Sequence, residues 1–203
     1  MTLNSQSCYQ VILQDEYKRM PWKNGLGETL EIYRAEDADG LRFRISQASV
    51  VEDGIFSDFS GLHRTLVLLS GDGMTLAHQS QPDSVLGARL DMASFFGGDE
   101  THATLHNSAI EDLNIMVRET DTKANVIACI NDSLDSSSSH SICEIAISEE
   151  NAFSSFYANQ ACEAKLDESQ IITLPANSTL VIKQTARFCL VQGSGALITV
   201  EYS

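Results

Sequence analysis

The sequence is poor in basic residues: it has 13 Lys and Arg against 28 Asp and Glu, and a net charge of −15. Binding to nucleic acid or to an anionic membrane surface needs clustered positive charge, so this balance argues against both partners. No apolar run reaches the roughly 18 residues of a membrane-spanning helix. Residues 1–10 also lack the basic and apolar segments of a signal peptide. We therefore expect a cytoplasmic protein.

The cysteines form no recognisable framework. They are odd in number, widely spaced and without a Cys-x-x-Cys pair, which argues against a disulfide scaffold and against a zinc ribbon. We expect buried, reduced thiols. The cysteines are Cys8, Cys129, Cys143, Cys162 and Cys189.

Signatures of covalent catalysis and of phosphate binding are missing too. The chain has no Gly-x-Ser-x-Gly elbow and no glycine-rich phosphate loop. None of the cysteines lies in an evidently electropositive stretch, which an activated thiolate needs. We expect no cofactor, and nothing in the residues themselves names an enzyme.

What the chain has instead is the pattern of β-strands. Apolar and polar residues alternate over 41–46, as in a strand with one buried face. Residues 64–70 and 74–78 are strand-like runs joined by Gly71-Asp72-Gly73, and they predict a β-hairpin. Residues 149–158 suit a short helix or a strand equally. Similar short runs continue to the C-terminus, so the sequence predicts an all-β sandwich or barrel.

One stretch divides the chain. Residues 131–141 (NDSLDSSSSHS) are polar and rich in serine, which is typical of a surface loop. Strand-like runs lie on both sides of it, so we predict two β units of unequal length.

The stretch from Met20 to Ile32 (MPWKNGLGETLEI) contains the only tryptophan and is unusually dense in functional groups. Its glycines allow close backbone approach, Trp22 offers a flat apolar wall, and Lys23 and Asn24 offer a cation and an amide. Such a loop suits a pocket for a small anion or planar acid. An ordinary turn with Trp22 closing the end of a core explains the same residues.

Arginines and histidines supply two further possibilities. Arg42 and Arg44 share one face of their strand; that face is either solvated or, if it lines a barrel, a clamp for carboxylates. Glu100, His102 and His106 would share a face of an extended segment and are weak candidate ligands for iron, manganese or zinc. Surface or partly buried histidines explain the latter pattern equally, and we predict no metal site.

Four segments together resemble the HutD/Ves family. They run in family order over about half of the chain, from residue 20 to residue 119, and the combination of Pro-Trp-Lys-Asn-Gly, Asp-Gly-x-Phe-Ser and Asn-x-Met-x-Arg is specific. The segments are MPWKNGLGETLEI (20–32), FRISQASVVEDGIFSDFSGLHRTLVLLSGDGMTL (43–76), FFGGDE (95–100) and DLNIMVRE (112–119).

The resemblance implies a cupin-type double-stranded β-helix with two barrel halves in one chain, a bicupin. We place the first half at 1–130, the second, shorter half at 142–203, and the serine-rich loop between them. The resemblance also implies a binding protein without catalysis. Its ligand would be a small carboxylate such as formate, urocanate, or a formyl- or formimino-glutamate, and its role would be to regulate histidine utilisation or a stress response.

Carried over position by position, the resemblance implies a set of ligand-binding residues. The basic side chains would supply charge, the amides and hydroxyls hydrogen bonds, and the indole a stacking wall. The set is Trp22, Lys23, Asn24, Gly25, Thr29, Glu31, Arg44, Ser46, Arg64, Asn114, Met116 and Arg118.

Two other functions fit the sequence. One is a cupin enzyme, metal-free or metal-dependent, that acts on a small organic acid. The other is a protein-interaction module. A homodimer is compatible with the binding protein and with both alternatives.

Overall fold

The computed structural model describes residues 7–22, 27–131, 144–148, 150–168 and 171–203. These residues form strands and one 3-10 turn, Gln14–Glu16, with no α-helix among them. The predicted all-β class is confirmed. The strands are β1 (Tyr9–Ile12), β2 (Lys18–Pro21), β3 (Glu28–Asp37), β4 (Gly40–Val50), β5 (Gly54–Ile55), β6 (Leu62–Ser70), β7 (Met74–His78), β8 (Ser84–Leu86), β9 (Met92–Phe96), β10 (Thr101–Leu105), β11 (Ile110–Arg118), β12 (Thr122–Asn131), β13 (Glu144–Ile147), β14 (Phe153–Ala158), β15 (Cys162–Leu166), β16 (Ile172–Leu174), β17 (Thr179–Ile182) and β18 (Ala186–Tyr202).

The chain divides into two compact units. The first, here called the motif unit, comprises the described residues of Tyr17–Lys123. The second, here called the C-terminal unit, comprises the described residues up to Glu16 together with those of Ala124–Tyr202. This division differs from the predicted halves at 1–130 and 142–203. The difference at the N-terminus arises because β1 pairs with β17, with Tyr9 opposite Ile182.

The motif unit contains two antiparallel sheets. A six-stranded sheet has the order β2-β3-β4-β11-β6-β9, and a four-stranded sheet has the order β5-β10-β7-β8. Alternate residues of a strand lie on one face, and the apolar members of these faces form one core. Its buried side chains are Val50, Leu66, Leu68, Met74, Leu76, Leu86, Ala93, Phe95, Ala103 and Ile110.

The predicted hairpin between β6 and β7 is wrong. Strand β6 pairs with β11 and β9, whereas β7 pairs with β10 and β8, so the two strands belong to different sheets. Gly71 and Gly73 have φ angles of 95° and 107°, and a Cβ atom at Gly73 would lie 2.3 Å from the Leu86 carbonyl oxygen. The two glycines therefore form the turn by which the chain passes from one sheet to the other, where no side chain fits.

The C-terminal unit is built around the 17-residue strand β18. Its sheet follows the order β1-β17-β14-β18-β15-β16, and β12 and β13 also pair with β18. Within 149–158, the described residues form the strand β14 at Phe153–Ala158 and no helix. The predicted serine-rich loop lies outside the described residues, apart from Asn131 at the end of β12.

The cysteine prediction needs one correction. Cys8, Cys162 and Cys189 are reduced thiols outside any disulfide, but Cys129, at 1% exposure, is disulfide-bonded. The widely spaced sequence pattern gave no signal for this bond. Within the described ranges, no helix has the length and apolar character needed to cross a membrane.

Candidate functional site

One face of the six-stranded sheet in the motif unit gathers most of the predicted ligand-binding residues. The pairing register aligns Glu31, Ser46 and Asn114 in one row across β3, β4 and β11. The next row aligns Arg44 with Met116, and Met116 with Arg64. Because side chains alternate along a strand, these rows share a face with the apolar core. The predicted residues on this face are Thr29, Glu31, Arg44, Ser46, Arg64, Asn114 and Met116.

The carboxylate of Glu31 is surrounded by cations. Glu31 is buried, and its Oε2 atom lies 2.8 Å from Nε of Arg44 and 3.7 Å from a guanidinium nitrogen of Arg34. Lys18 approaches its other oxygen at 3.7 Å. Arg44 also donates to the sulfur of Met20 at 3.3 Å. Arg44 is therefore already held by a carboxylate, with further positive charge close by.

Arg64 has a different environment. It is 4% exposed, and its guanidinium carbon lies over three phenylalanine rings, at 5.0 Å from Phe56, 5.4 Å from Phe59 and 4.9 Å from Phe95. One nitrogen, Nη2, donates to Oδ1 of Asn114 at 2.6 Å. Its buried Nε atom has no hydrogen-bond partner in the described part of the chain. A buried guanidinium with an unused donor is suited to accept an anion, because the burial has removed competing water.

The structure adds Asp112 to the site. This residue is 1% exposed, and its Oδ1 atom accepts a hydrogen bond from Nδ2 of Asn114. Burial raises the pKa of Asp112 to about 7, although the charge of Arg64 and the Asn114 hydrogen bond oppose the shift. Burial likewise lowers the pKa of Arg64 to about 10, against the charge of Asp112. Asp112 was not among the predicted residues, yet the sequence offers a signal: Asp112 shares the strand face of Ile110, Asn114 and Met116, two of which are in the predicted set.

The tryptophan loop is only partly described. Trp22 is half-buried, its indole Nε1 donates to Oγ1 of Thr29 at 2.9 Å, and its backbone N–H donates to the Gly27 carbonyl at 2.9 Å. A Cβ atom on Gly27 would lie 3.2 Å from the indole ring. The indole is thus fixed beside Thr29 on the site face. The predicted Lys23, Asn24 and Gly25 lie outside the described residues.

Arg118 contacts a different set of residues from the other predicted ligand-binding residues. Its guanidinium forms a bidentate pair with Asp37, at 2.9 and 2.7 Å, and two hydrogen bonds to Asp121, at 2.9 and 2.7 Å. These two carboxylates use its donor atoms, and Arg42 binds the same pair. The guanidinium of Arg118, which donates to both carboxylates, holds the pKa of Asp37 at about 2 and that of Asp121 well below its usual range. Arg118 therefore stabilises a surface ion-pair cluster, and each of its three guanidinium nitrogens already donates to a carboxylate.

The described histidines show no metal arrangement. Glu100, His102 and His106 are exposed, and Nε2 of His106 lies 3.0 Å from the Thr75 hydroxyl. Among the described residues, no group of three His, Cys, Asp or Glu could hold a metal ion. Sequence reasoning passed over His78, which is buried between Thr101 and Ser84 at 3.0 and 3.2 Å.

The C-terminal unit contains a cavity of about 220 Å³. Glu201 is its one charged lining residue among those described, so its charge does not suit an anion. Its lining is Asn125, Ile127, Ile145, Ala146, Ser148, Asn151, Leu197, Thr199 and Glu201. The face around Arg64 offers a cation for an anion and a buried carboxyl at Asp112 that can hold or release a proton, whereas the described lining of the cavity offers no cation.

A HutD family model matches residues 14–199. The chain therefore belongs to the HutD family, and the predicted HutD/Ves resemblance is confirmed. An uncharacterised 21.2 kDa protein in the hutC 3′ region of Pseudomonas putida is 40% identical over 112 residues, which are 54% of this chain and 58% of that protein. Protein Ves of Citrobacter koseri is 35% identical over 116 residues, which are 55% of this chain and 60% of that protein. The chain thus spans about three-fifths of the length of these curated relatives.

Solved structures show the same fold. HutD from Pseudomonas fluorescens SBW25, in a formate condition, is similar with a TM-score of 0.78 and 23% identity, over 96% of this chain and 99% of that one. A conserved protein of unknown function from Pseudomonas aeruginosa PAO1 is similar with a TM-score of 0.76 and 27% identity, over 96% and 98%. The predicted cupin-type fold is confirmed.

Proposed function

We propose that this protein binds a small carboxylate metabolite at the polar face of the motif unit without converting it, and thereby regulates histidine utilisation or a stress response. The carboxylate would accept hydrogen bonds from Arg64, with Arg44 and Lys18 adding positive charge from the neighbouring rows. Trp22 would form an apolar wall beside Thr29. Formate, urocanate and formyl- or formimino-glutamate have the required carboxylate, and we propose that binding takes place in the cytoplasm.

The observation that carries the proposal is the environment of Arg64. A buried guanidinium normally pairs with a carboxylate, because burial of an unpaired charge is costly. Here the nearest polar partner is the neutral amide of Asn114, and Nε is without an acceptor among the described residues. The aromatic rings hold the guanidinium in place through cation–π contacts. Such a preorganised donor loses little freedom when an anion arrives.

The comparisons give independent support for the proposed pathway and ligand class. The Pseudomonas putida relative is described by its place beside hutC, and the Pseudomonas fluorescens HutD structure is of a formate condition. We extend both to this chain as part of the proposal.

A thermal-shift panel on metal-stripped protein tests the proposal, with formate, urocanate, formylglutamate, formiminoglutamate and histidine as probes. A ligand at 100 times its dissociation constant stabilises the folded state by about 2.7 kcal/mol, so one of the carboxylates should give a saturable rise in Tm. Arg64→Met should remove this rise. Arg187→Met is the matched control, because Arg187 is an exposed arginine of the C-terminal unit paired with Glu144 at 2.9 Å. No rise with any probe, or a rise that survives Arg64→Met, contradicts the proposal.

A second candidate function is a cupin enzyme that acts on a small organic acid. Asp112 favours this function. Burial raises the pKa of its carboxyl group to about 7, and a pKa near the working pH suits a general acid or base. Incubating the same probes with the protein and following them by proton NMR distinguishes the two. Conversion that is lost in Asp112→Asn supports the enzyme, whereas intact probes support binding alone.

A further inference from the structure

Asp112 and Arg64 are linked through the side-chain amide of Asn114. Nη2 of Arg64 donates to Oδ1 of Asn114, and Nδ2 of Asn114 donates to Oδ1 of Asp112. The amide therefore presents its acceptor to the cation and its donor to the carboxyl group. Since a protonated Asp112 can keep its second oxygen as the hydroxyl, its Oδ1 accepts the Asn114 hydrogen bond in either protonation state.

Two charges act on Asp112 most directly. Arg64 on β6 favours the ionised carboxylate, and Glu111 on the same strand β11 disfavours it. The residues directly opposite Asp112 are Ala48 on β4 and Leu68 on β6, which carry no charge. Farther along the six-stranded sheet, β3 contributes Glu31 and β4 contributes Arg44, and these two are paired with each other at 2.8 Å.

The four-stranded sheet contributes His78 on β7. Its ring lies 4.9 Å from the ring of Phe95, which in turn lies under Arg64. Burial lowers the pKa of His78, and the carboxylates of Asp99 and Asp83 oppose the shift. His78 is therefore neutral near neutral pH. Arg64 is the cation that opposes the effect of burial on the pKa of Asp112.

We propose that an anion bound at Arg64 makes Asp112 take up a proton, so that the site binds its ligand together with a proton. The inference rests on the proposed function, because it requires an anion at Arg64. A ligand carboxylate cancels the positive charge that favours ionised Asp112, while the burial of Asp112 is unchanged. Two carboxylates beside one buried cation cannot both stay ionised without cost, and the protein carboxyl is the one that water cannot reach.

The linkage has a definite sign. Where Asp112 of the free protein is already protonated, anion affinity does not depend on its titration. Above that range the bound state holds more protons than the free state, so affinity falls as pH rises, by at most about tenfold per pH unit. The free carboxyl titrates near neutrality because burial raises its pKa to about 7. The fall in affinity should therefore begin close to physiological pH.

Isothermal titration calorimetry with sodium formate as the probe tests this on the full chain. Formate stays ionised over the whole interval, so its own titration does not enter. Titrations in two buffers of different ionisation enthalpy, at about pH 6 and about pH 8, report proton uptake. We expect weaker binding and larger uptake at the higher pH. Asp112→Asn should bind formate with no uptake and no pH dependence, because its amide stands in for the protonated acid.

Glu111→Gln is the comparison variant: it keeps the Asp112 carboxyl but removes the charge that disfavours its ionisation, so proton uptake should persist and the fall in affinity should begin at a lower pH. If Asp112→Asn does not fold, carbon-13 NMR of the Asp112 carboxyl in the wild type gives the same information, and its titration midpoint should move upward when formate is added. Formate binding without proton uptake, or with an unmoved midpoint, overturns this inference alone. Absence of formate binding at both pH values, together with a silent panel of the other carboxylates, overturns the proposed function and this inference with it.

Discussion

The two units fill their interiors differently. In the C-terminal unit, the described buried polar side chains are all hydroxyls, namely Ser154, Ser155, Ser178, Thr179 and Ser194. In the motif unit, the buried set includes the ionisable side chains of Glu31, Arg64, His78 and Asp112. Both units belong to one chain and are built from antiparallel strands, so the difference is one of sequence rather than of architecture.

This difference indicates that the C-terminal unit is packed for stability, whereas the motif unit keeps buried charges that stability alone does not require. Burial of a charge costs several kcal/mol unless partners compensate it, and a well-packed apolar substitute is often at least as stable. The apolar core of the C-terminal unit needs no explanation beyond folding. Under the proposed function, the buried cation of the motif unit is instead explained by binding, because an incoming anion would complete the interactions that Arg64 lacks.

The largest effect on stability should come from the C-terminal core. Phe156 is fully buried, and its ring packs 4.8 Å from that of Phe188. Phe156→Ala should reduce the free energy of unfolding by about 3–5 kcal/mol, through lost contacts and a cavity, as measured by urea denaturation. Ile171→Ala at a 49% exposed position is the control and should change it by less than about 0.5 kcal/mol. A small loss for Phe156→Ala would mean that this core does not stabilise the protein.

A smaller effect is expected at the tryptophan loop. Trp22→Ala should reduce the free energy of unfolding by about 2 kcal/mol. This is less than the loss expected for a fully buried tryptophan, because the indole is only half-buried. It should also weaken formate binding, since the apolar wall beside Thr29 is lost. Trp22→Phe keeps an aromatic ring but loses the hydrogen bond to Thr29, which is worth about 1 kcal/mol. Unchanged formate binding by Trp22→Ala would separate this loop from the site.

Replacing the buried charges of the motif unit should barely change stability. The double variant Arg64→Met/Asp112→Asn removes the buried cation and the buried carboxyl group that compensates its charge. Its free energy of unfolding should lie within about 1 kcal/mol of the wild-type value. Formate binding should be abolished. A strong destabilisation would show that these charges are kept for folding, and the contrast between the units would then be lost.

The smallest effect should come from the surface ion pairs of Arg118. In the wild type, the pKa of Asp37 is lowered from 3.8 to about 2, mainly by its hydrogen bonds with Arg118. A lowered folded-state pKa stabilises above the ordinary aspartate range and is lost as pH falls through the folded value. Arg118→Gln should therefore have a lower Tm than the wild type near neutral pH, with the gap closing toward about pH 2. Its formate affinity should be unchanged; a loss of affinity would place Arg118 in the site after all.

The sequence predicts the fold class and names many residues that the structure places on one face of the motif unit, for physical reasons that differ between residues. Strand periodicity predicts that Arg44 and Ser46 do not point to the same side as Phe43, and the family motifs bring in Glu31, Arg64 and Asn114. The ion pair of Arg118 could not be predicted from the sequence, because its partner Asp37 is 81 residues away in the chain. The turn at Gly71 and Gly73 fits a hairpin or a sheet crossing equally, and only the pairing of the neighbouring strands decides between them.

The most direct test of the central idea is nitrogen-15 NMR of the Arg64 Nε–H group during titration with formate. The buried Nε has no acceptor among the described residues, so a bound carboxylate should move its proton resonance downfield and slow its exchange with water. The resonances of Arg118, already held by two carboxylates, should stay where they are. A saturable shift at Arg64 alone is the result that we predict. An unmoved Arg64 signal at saturating formate would contradict the account.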